Sequence, residues 1–377
     1  RMVDFTLSNM SNSGIKDIGI IVNKNFFSLM DHVGSGKSWD LSRKNGGVHL
    51  LPPFIQTGEP TGNTPVENLH SIRRFLTDSN EEYVLLTECG LIANINYGDM
   101  IQQHIDNKAD FTILYTDSLN SKGRENALSF TTNTDDRIEA FMVQPNATAD
   151  SNVALGAILT NRKLLIELVQ DCISKNQLNY IRYIFQNDVK KYRFYGYKFD
   201  GYYSMISSMD EYFSANMDLL KKENQKELFN SKCPIFTKVR DDMPSRYGLD
   251  SSVKNSLIAQ GCIIEGEVEN SIIAKGVRIG KGTKVSNCII MHDTKIGEGV
   301  TKIDRYAFKE CNSLETVYLG SAIEYIGQDA FYPCKALTDA QYNGTKADWE
   351  KVTVKDGNGR LTVYLKYLKE VETTTKP

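Results

Sequence analysis

Short apolar runs recur through the first 225 residues. Ile18–Val22, Tyr83–Thr87, Phe111–Tyr115 and Ala154–Thr160 are each five to seven residues long and rich in branched or aromatic side chains. Such runs predict short buried strands of the parallel kind. Between them, Pro65–Leu76, Gly98–Lys108 and Arg162–Ser174 carry apolar residues at helical spacing. The alternation predicts an α/β sheet with helices on both faces.

The pattern changes near Ser252. Asn255-Ser-Leu-Ile, Asn270-Ser-Ile-Ile and Asn287-Cys-Ile-Ile recur at spacings of 15 and 17 residues, and Ile279-Gly280 is echoed 17 positions on by Ile296-Gly297. Aliphatic residues that point inward, with glycine and small polar residues at corners, are the mark of a left-handed parallel β-helix of the hexapeptide type. A hairpin-rich β domain is the alternative.

A third texture begins after Val300. Ile303, Ala307-Phe308, Cys311 and Leu314 reappear 23 positions later as Ile326, Ala330-Phe331, Cys334 and Leu337. That period lies in the leucine-rich window of about 20–29 residues. It predicts a strand near Val317–Leu319 and cysteines buried as small hydrophobes. Two repeats are fewer than the roughly three a solenoid needs, so the module should lean on the β-helix or on its own Tyr342–Leu368 segment. The domain plan is an α/β domain over 1–225, a linker over 226–251, a β-helix over 252–300, a repeat module over 301–368 and a frayed tail over 369–377.

Composition changes this picture little. The 377 residues are 41% hydrophobic and 24% charged with net charge -3, an ordinary globular balance that gives no footprint for nucleic acid or an acidic membrane surface. No apolar run approaches the roughly 18 residues of a membrane span. Arg1 and the residues after it do not read as a signal peptide, and the chain reads as lacking its true start. Seven scattered cysteines without a C-x-x-C pair predict free thiols and a cytoplasmic setting.

Several segments invite a chemical reading. Gly34-Ser35-Gly36-Lys37-Ser38 suggests a phosphate loop, but Asp31 stands where a glycine is required, and the preceding residues read as helix rather than strand. Lys37, Arg43 and Lys44 form a basic loop that could hold a phosphorylated effector or an acidic partner surface, against the alternative of a solvated loop. Gly62-Asn63-Thr64 fits either a backbone cradle for phosphate or a turn before a helix. His292 could serve as the base of a hexapeptide acyltransferase or be an exposed corner residue. No histidines share a metal spacing. Asn146-Ala-Thr148 and Asn343-Gly-Thr345 match glycosylation acceptors, which matter only in a secreted eukaryotic chain.

The opening stretch RMVDFTLSNMSNSGIKDIGIIVNKNFFSLMDHVGSGKSWDL, followed by GDMIQQHI, MVQPNATADSNVALGAILTNRKLL and GYYSMISSMDEYFSANMDLL, resembles the glucose-1-phosphate adenylyltransferases. The likeness covers about the first 300 residues, and it implies a nucleotidyltransferase-like (GT-A/Rossmann-like) domain followed by the β-helix. It also implies a site. The family's metal-binding carboxylates fall at Gly90, Asn96 and Met205, and its sugar-phosphate lysine at Gln144. Gly62, Asn63, Gln144 and Gly156 would be remnants of the substrate pocket, and the family's Gly-rich nucleotide loop would lie upstream of Arg1.

Transfer to an α-phosphate needs Mg²⁺ on hard oxygen ligands and cations on the phosphates. Glycine offers no ligand, methionine a soft sulfur and glutamine no charge. The pattern resembles the non-catalytic, D-type subunit that some Gram-positive bacteria pair with a catalytic one, which implies a heterotetramer with Mg²⁺ and ATP held by the partner and no metal or catalytic residue here. An active enzyme with Glu88 or Asp99 as replacement ligands is the rival. The last 75 or so residues resemble BspA-type leucine-rich repeats of surface proteins. The junction at about Val300 is then either a natural fusion or an artificial join, and a surface interaction protein is a further alternative.

Overall fold

The computed structural model describes residues 1–22, 26–44, 46–52, 64–117, 128–143, 152–177, 185, 189–239, 241–297, 300–312 and 314–369. They form two compact units. One comprises residues 1–205 with 226–239, the other residues 206–225 with those from 240 onward.

The first unit opens with α1 (Met2–Asn12), β1 (Asp17–Ile21), α2 (Phe27–Val33) and β2 (Gly47–Leu51), with β1 and β2 parallel. Leu7, Ile18, Val22, Trp39 and Leu41 bury their side chains together here. Residues 234–238 strap across this subdomain through side chains. Asn12 Nδ2 donates to the Pro234 carbonyl at 3.0 Å, the Phe236 amide donates to Ser8 Oγ at 2.8 Å, and Trp39 Nε1 donates to the Phe236 carbonyl at 3.1 Å. Thr237 Oγ1 donates to the buried Asp4 carboxylate at 2.8 Å, whose other oxygen lies 2.6 Å from His32 Nε2.

The main sheet follows from α3 (Pro65–Ser71), α4 (Arg73–Asp78), β3 (Tyr83–Thr87), β4 (Leu91–Ala93), α5 (Gly98–Asp106), β5 (Phe111–Asp117), β6 (Leu128–Thr132), β7 (Ile138–Val143), β8 (Asn152–Asn161), α6 (Arg162–Ser174), β9 (Phe194–Lys198) and β10 (Tyr203–Met205). Its order is β7-β6-β8-β5-β9, with β3 also on β8. Side-chain alternation splits the sheet into two cores. Phe111, Ile113, Ala154 and Ile158 pack with Val66 of α3, Leu76 of α4 and Leu165 of α6. Leu114, Leu155, Ala157 and Leu159 pack instead with Met100 of α5, Leu91 of β4 and Met205 of β10. Helices on both faces are therefore as the pattern expects.

The expectation of parallel strands needs correction. β8 runs antiparallel to β3, β5 and β6, and only β5 with β9 is parallel in this sheet. A strand buried on both faces is an unbroken apolar run whichever way it points; direction comes from the connections. The helix expected over Pro65–Leu76 is likewise broken at Ile72 into α3 and α4. The Ser71 hydroxyl donates to the Asn68 carbonyl at 2.7 Å, offering the backbone a local alternative to the helical ladder.

His104 of α5 is 1% exposed, its Nδ1 lies 2.8 Å from Thr112 Oγ1, and Tyr83 packs edge-on against its ring. Burial pushes its pKa down from 6.5 to about 4, with the nearby Asp110 carboxylate opposing the shift. The unfolded chain therefore binds the proton first, so this residue's contribution to stability falls as pH drops from 6.5 toward 4. At about 1.4 kcal/mol per pKa unit the loss is on the order of 3 kcal/mol. Thermal melts across that window should show the decline, and His104→Gln should flatten it.

The second unit contains α7 (Met209–Asp218), and α8 (Lys222–Leu228) follows in the chain. Then come β11 (Arg246–Tyr247), β12 (Ser252–Lys254), β13 (Leu257–Ile258), β14 (Ile263–Ile264), β15 (Glu267–Glu269), β16 (Ile272–Ile273), β17 (Arg278–Ile279), β18 (Lys284–Ser286), β19 (Ile289–Ile290) and β20 (Lys295–Ile296). They stack as three parallel sheets, β11-β14-β17-β20, β12-β15-β18 and β13-β16-β19. This three-sided coil is consistent with a left-handed β-helix. Leu257 pairs with Ile272 and Ile272 with Ile289, so the sequence spacings of 15 and 17 are the coil lengths. Asn255, Asn270 and Asn287 take the left-handed corner at φ 41°, 46° and 53°, a conformation asparagine tolerates better than most residues. The next serine serves the adjoining coil: Ser256 Oγ accepts from the Ser271 amide at 3.0 Å and Ser271 Oγ from the Cys288 amide at 3.1 Å.

The expected boundaries shift. The β-helix starts at Arg246, inside the expected linker, because β11 is hydrogen-bonded to β14. Residues 206–225, expected within the first domain, group with the second unit.

Two further parallel sheets complete the unit: β21 (Lys302–Ile303), β23 (Tyr325–Ile326) and β25 (Thr353–Val354), and β22 (Thr316–Leu319), β24 (Asp339–Tyr342) and β26 (Leu365–Tyr367). Lys302 pairs with Tyr325 and Thr316 with Asp339, so the 23-residue period is a strand register. Tyr342–Leu368 supplies a third coil, lengthened by α9 (Lys346–Trp349) and α10 (Gly359–Val363). Its loss of sequence likeness follows from these inserted turns. One apolar core runs from Cys262 and Ile290 through Val300 and Ile303 to Phe331 and Leu361. The module thus leans both ways, on the β-helix and on its own end. Burial pushes the thiol pKa of Cys311 to about 11 and of Cys334 to about 12, and that of Cys288 higher, so all three stay neutral.

Candidate functional site

The edge at which β3, β5 and β9 end carries the residues singled out by chemistry. β3 and β5 both oppose β8, and β5 parallels β9, so the three finish on one side of the sheet. Crevices at strand carboxyl ends are where open α/β sheets bind ligands.

β4 and β10 pair antiparallel there, with Met205 opposite Leu91. That ladder brings Gly90, the residue before Leu91, next to Met205 across 115 positions of sequence. Met205 is 8% exposed and packed among Leu91, Leu155 and Tyr203. Asn96 stands apart on the surface, and its Oδ1 accepts from the Gly98 amide at 2.9 Å, closing the turn into α5. Behind it Tyr97 is buried, its hydroxyl pKa raised to about 12 by burial.

Gly156 belongs to this edge. Its φ of +75° and its close neighbour require glycine, since a Cβ would lie 3.1 Å from Glu88 Oε2. The Glu88 amide also donates to the Gly156 carbonyl at 3.1 Å, which holds Glu88 just beyond β3. Asp99 is exposed on the first turn of α5. Gln144, Gly62 and Asn63 lie outside the described residues.

One arrangement was not foreseen from sequence. Lys198 Nζ, at the end of β9, sits 2.9 Å from Asp117 and 3.1 Å from Asp200. Its pKa is raised by hydrogen bonds to Asp117 and then Asp200. The two carboxylates at the strand ends therefore already hold a cation. Eighty-one positions separate Asp117 from Lys198, and only the β5–β9 pairing joins them.

The remaining candidates separate. Gly34-Ser35-Gly36 follows helix α2 rather than a strand, which removes the phosphate-loop reading. Arg43 is bound to the Asp40 carboxylate and donates from Nε to its carbonyl at 2.9 Å, while Lys37 and Lys44 are exposed. His292 is exposed at a turn after β19, as the corner reading expects. Among the described residues no cluster of three or more His, Cys, Asp or Glu could hold a metal ion, and no helix is long and apolar enough to cross a membrane.

The sequence model described as Nucleotidyl transferase matches residues 1–222, and one described as GlmU-like, C-terminal hexapeptide, matches residues 241–312. Similar proteins include the glucose-1-phosphate adenylyltransferase of Clostridium perfringens strain SM101, 33% identical over 309 residues, which cover 78% of this chain and 77% of that protein. The glucose-1-phosphate adenylyltransferase of Bacillus subtilis strain 168 is 34% identical over 301 residues, 76% of each chain. The chain belongs to the glucose-1-phosphate adenylyltransferase family.

Membership raises the question of Mg²⁺. At the positions where the resemblance places its ligands stand a glycine, a buried thioether and an amide already bonded to backbone. Hard divalent cations need several charged or carbonyl oxygens, and these three residues do not fit one.

Proposed function

We propose that this chain is a non-catalytic, regulatory subunit of an ADP-glucose-forming assembly, acting in the cytoplasm through a catalytic glucose-1-phosphate adenylyltransferase subunit, with a heterotetramer as the expected form. The reading is supported by the β4–β10 ladder, which pairs Met205 with Leu91, the residue after Gly90, and packs the thioether in an apolar cluster at a position where the resemblance places a metal-binding carboxylate. The similar glucose-1-phosphate adenylyltransferases suggest the reaction, and Gly90 and Met205 support the reading that this chain leaves it to a partner. Regulation then works by differential contacts with the partner's states, and the exposed Lys37 and Lys44 are the candidates for an anionic effector or an acidic partner surface. The 23-residue register is read as BspA-like leucine-rich repeats serving as an added interaction surface.

Co-expression with a catalytic subunit from the same source tests this. Size-exclusion chromatography with light scattering should give a mixed tetramer, and the partner's KM or effector response should shift. A mixture that elutes as separate species with unchanged kinetics would overturn the proposal.

One observation favours a second reading. Glu88 lies two residues before Gly90 with its carboxylate over Gly156, so it could act as a replacement oxygen ligand. If the isolated chain turns over, Glu88→Gln should lower kcat by about 10²-fold or more. On the main reading there is no turnover to lose.

A further inference from the structure

The second unit holds a cleft of about 460 Å³ between α7 with the turn that follows it and one corner of the β-helix. That volume lies in the range of about 300–1,000 Å³ typical of small-molecule sites. Its floor is the asparagine ladder, Asn255, Asn270 and Asn287. Its wall is apolar, formed by Phe213, Met217 and Leu220.

The wall is tied across the unit at the start of α7 and closed locally by the turn that follows it. Asn312 Nδ2 donates to Asp210 Oδ1 at 3.3 Å at the start of α7, and Asn224 Nδ2 donates to the Asp218 carbonyl at 3.0 Å past its end. The floor is regular, because parallel coils repeat amide groups about every 4.8 Å. Asn255 Nδ2 donates to Asn270 Oδ1 at 2.7 Å, and among the described residues no partner takes the Asn270 and Asn287 amide hydrogens. Each such amide can offer two donors and an acceptor.

Charge decides the ligand class. Lys221 at the rim is held 2.7 Å from Asp218, and the other charged residue there is Glu315. An anionic ligand would meet a neutralised cation and an exposed carboxylate. We infer that this cleft binds a short neutral oligosaccharide, with hydroxyls on the amide ladder and Glu315 and an apolar sugar face against Phe213. Amides and a carboxylate pair with hydroxyls in both directions, and a flat aromatic face suits the C–H side of a pyranose ring. This site is separate from the sheet edge described above and does not depend on the regulatory reading.

Calorimetric titration of the full chain with maltotriose and with cellotriose, as α- and β-linked probes, tests the inference, with inorganic phosphate as competitor. Saturable binding of one trisaccharide is expected, unaffected by phosphate. Phe213→Leu and Asn287→Gly, the latter keeping a residue at home at positive φ, should each weaken binding about five- to tenfold. Absence of saturation with both sugars, unchanged affinity in both variants, or displacement by phosphate would each overturn it.

Discussion

Supplied with ATP, Mg²⁺ and glucose 1-phosphate, the isolated chain should release pyrophosphate at the background rate. Removing one preorganised group that stabilises developing charge costs about 10²–10³ in rate. With no oxygen ligand at Gly90 or Met205, the expected deficit against a catalytic relative is on the order of 10⁵. A coupled pyrophosphate assay reads this directly, and turnover within about tenfold of a catalytic subunit would contradict the Mg²⁺ misfit described above. Restoring one carboxylate should not rescue the reaction. Met205→Asp places a charge among Leu91, Leu155 and Tyr203, and an unpaired buried charge costs about 3–5 kcal/mol. A lower melting temperature without activity is the expected result. Met205 packs in the buried apolar cluster of β4 and β10.

The second large effect concerns the junction near Val300. Phe331→Ala should destabilise the second unit by about 3–5 kcal/mol, the usual range for a buried aromatic. Phe331 is 2% exposed and stacks on Phe308 at 4.9 Å between ring centres. Because one core joins Cys262 and Ile290 to Phe331 and Leu361, the loss should be felt beyond the repeat module. Hydrogen exchange should show faster opening at Ile273 and Ile290 as well as at Ile326. Unchanged protection in the β-helix would mean that the two coils melt independently, and that the shared core carries no cooperative energy across Val300.

Periodicity was legible wherever it had a steric cause. Asn255, Asn270 and Asn287 repeat because each coil needs a left-handed corner, and the 23-residue echo of Phe308 at Phe331 reflects rings stacked in the turns that follow the paired strands β21 and β23. The third coil was hidden because α9 and α10 interrupt its spacing. Strand direction in the main sheet was equally hidden, since β3, β5 and β8 bury both faces and read alike.

The site divides along the same line. Residue chemistry alone marks Gly90 and Met205 as poor metal ligands, because neither side chain carries an oxygen whatever the fold, and Asn96 brings a neutral amide oxygen in place of a carboxylate. What surrounds them required the tertiary structure: the pairing of Leu91 with Met205, the placement of Glu88 over Gly156, and the capture of Lys198 by Asp117 and Asp200. Each joins residues far apart in the chain through strand pairing. Local pattern encodes which face of a strand is buried and where a coil must turn. It does not encode which distant strand lies alongside, and that neighbour determines whether a carboxylate meets a metal, a lysine or an apolar wall.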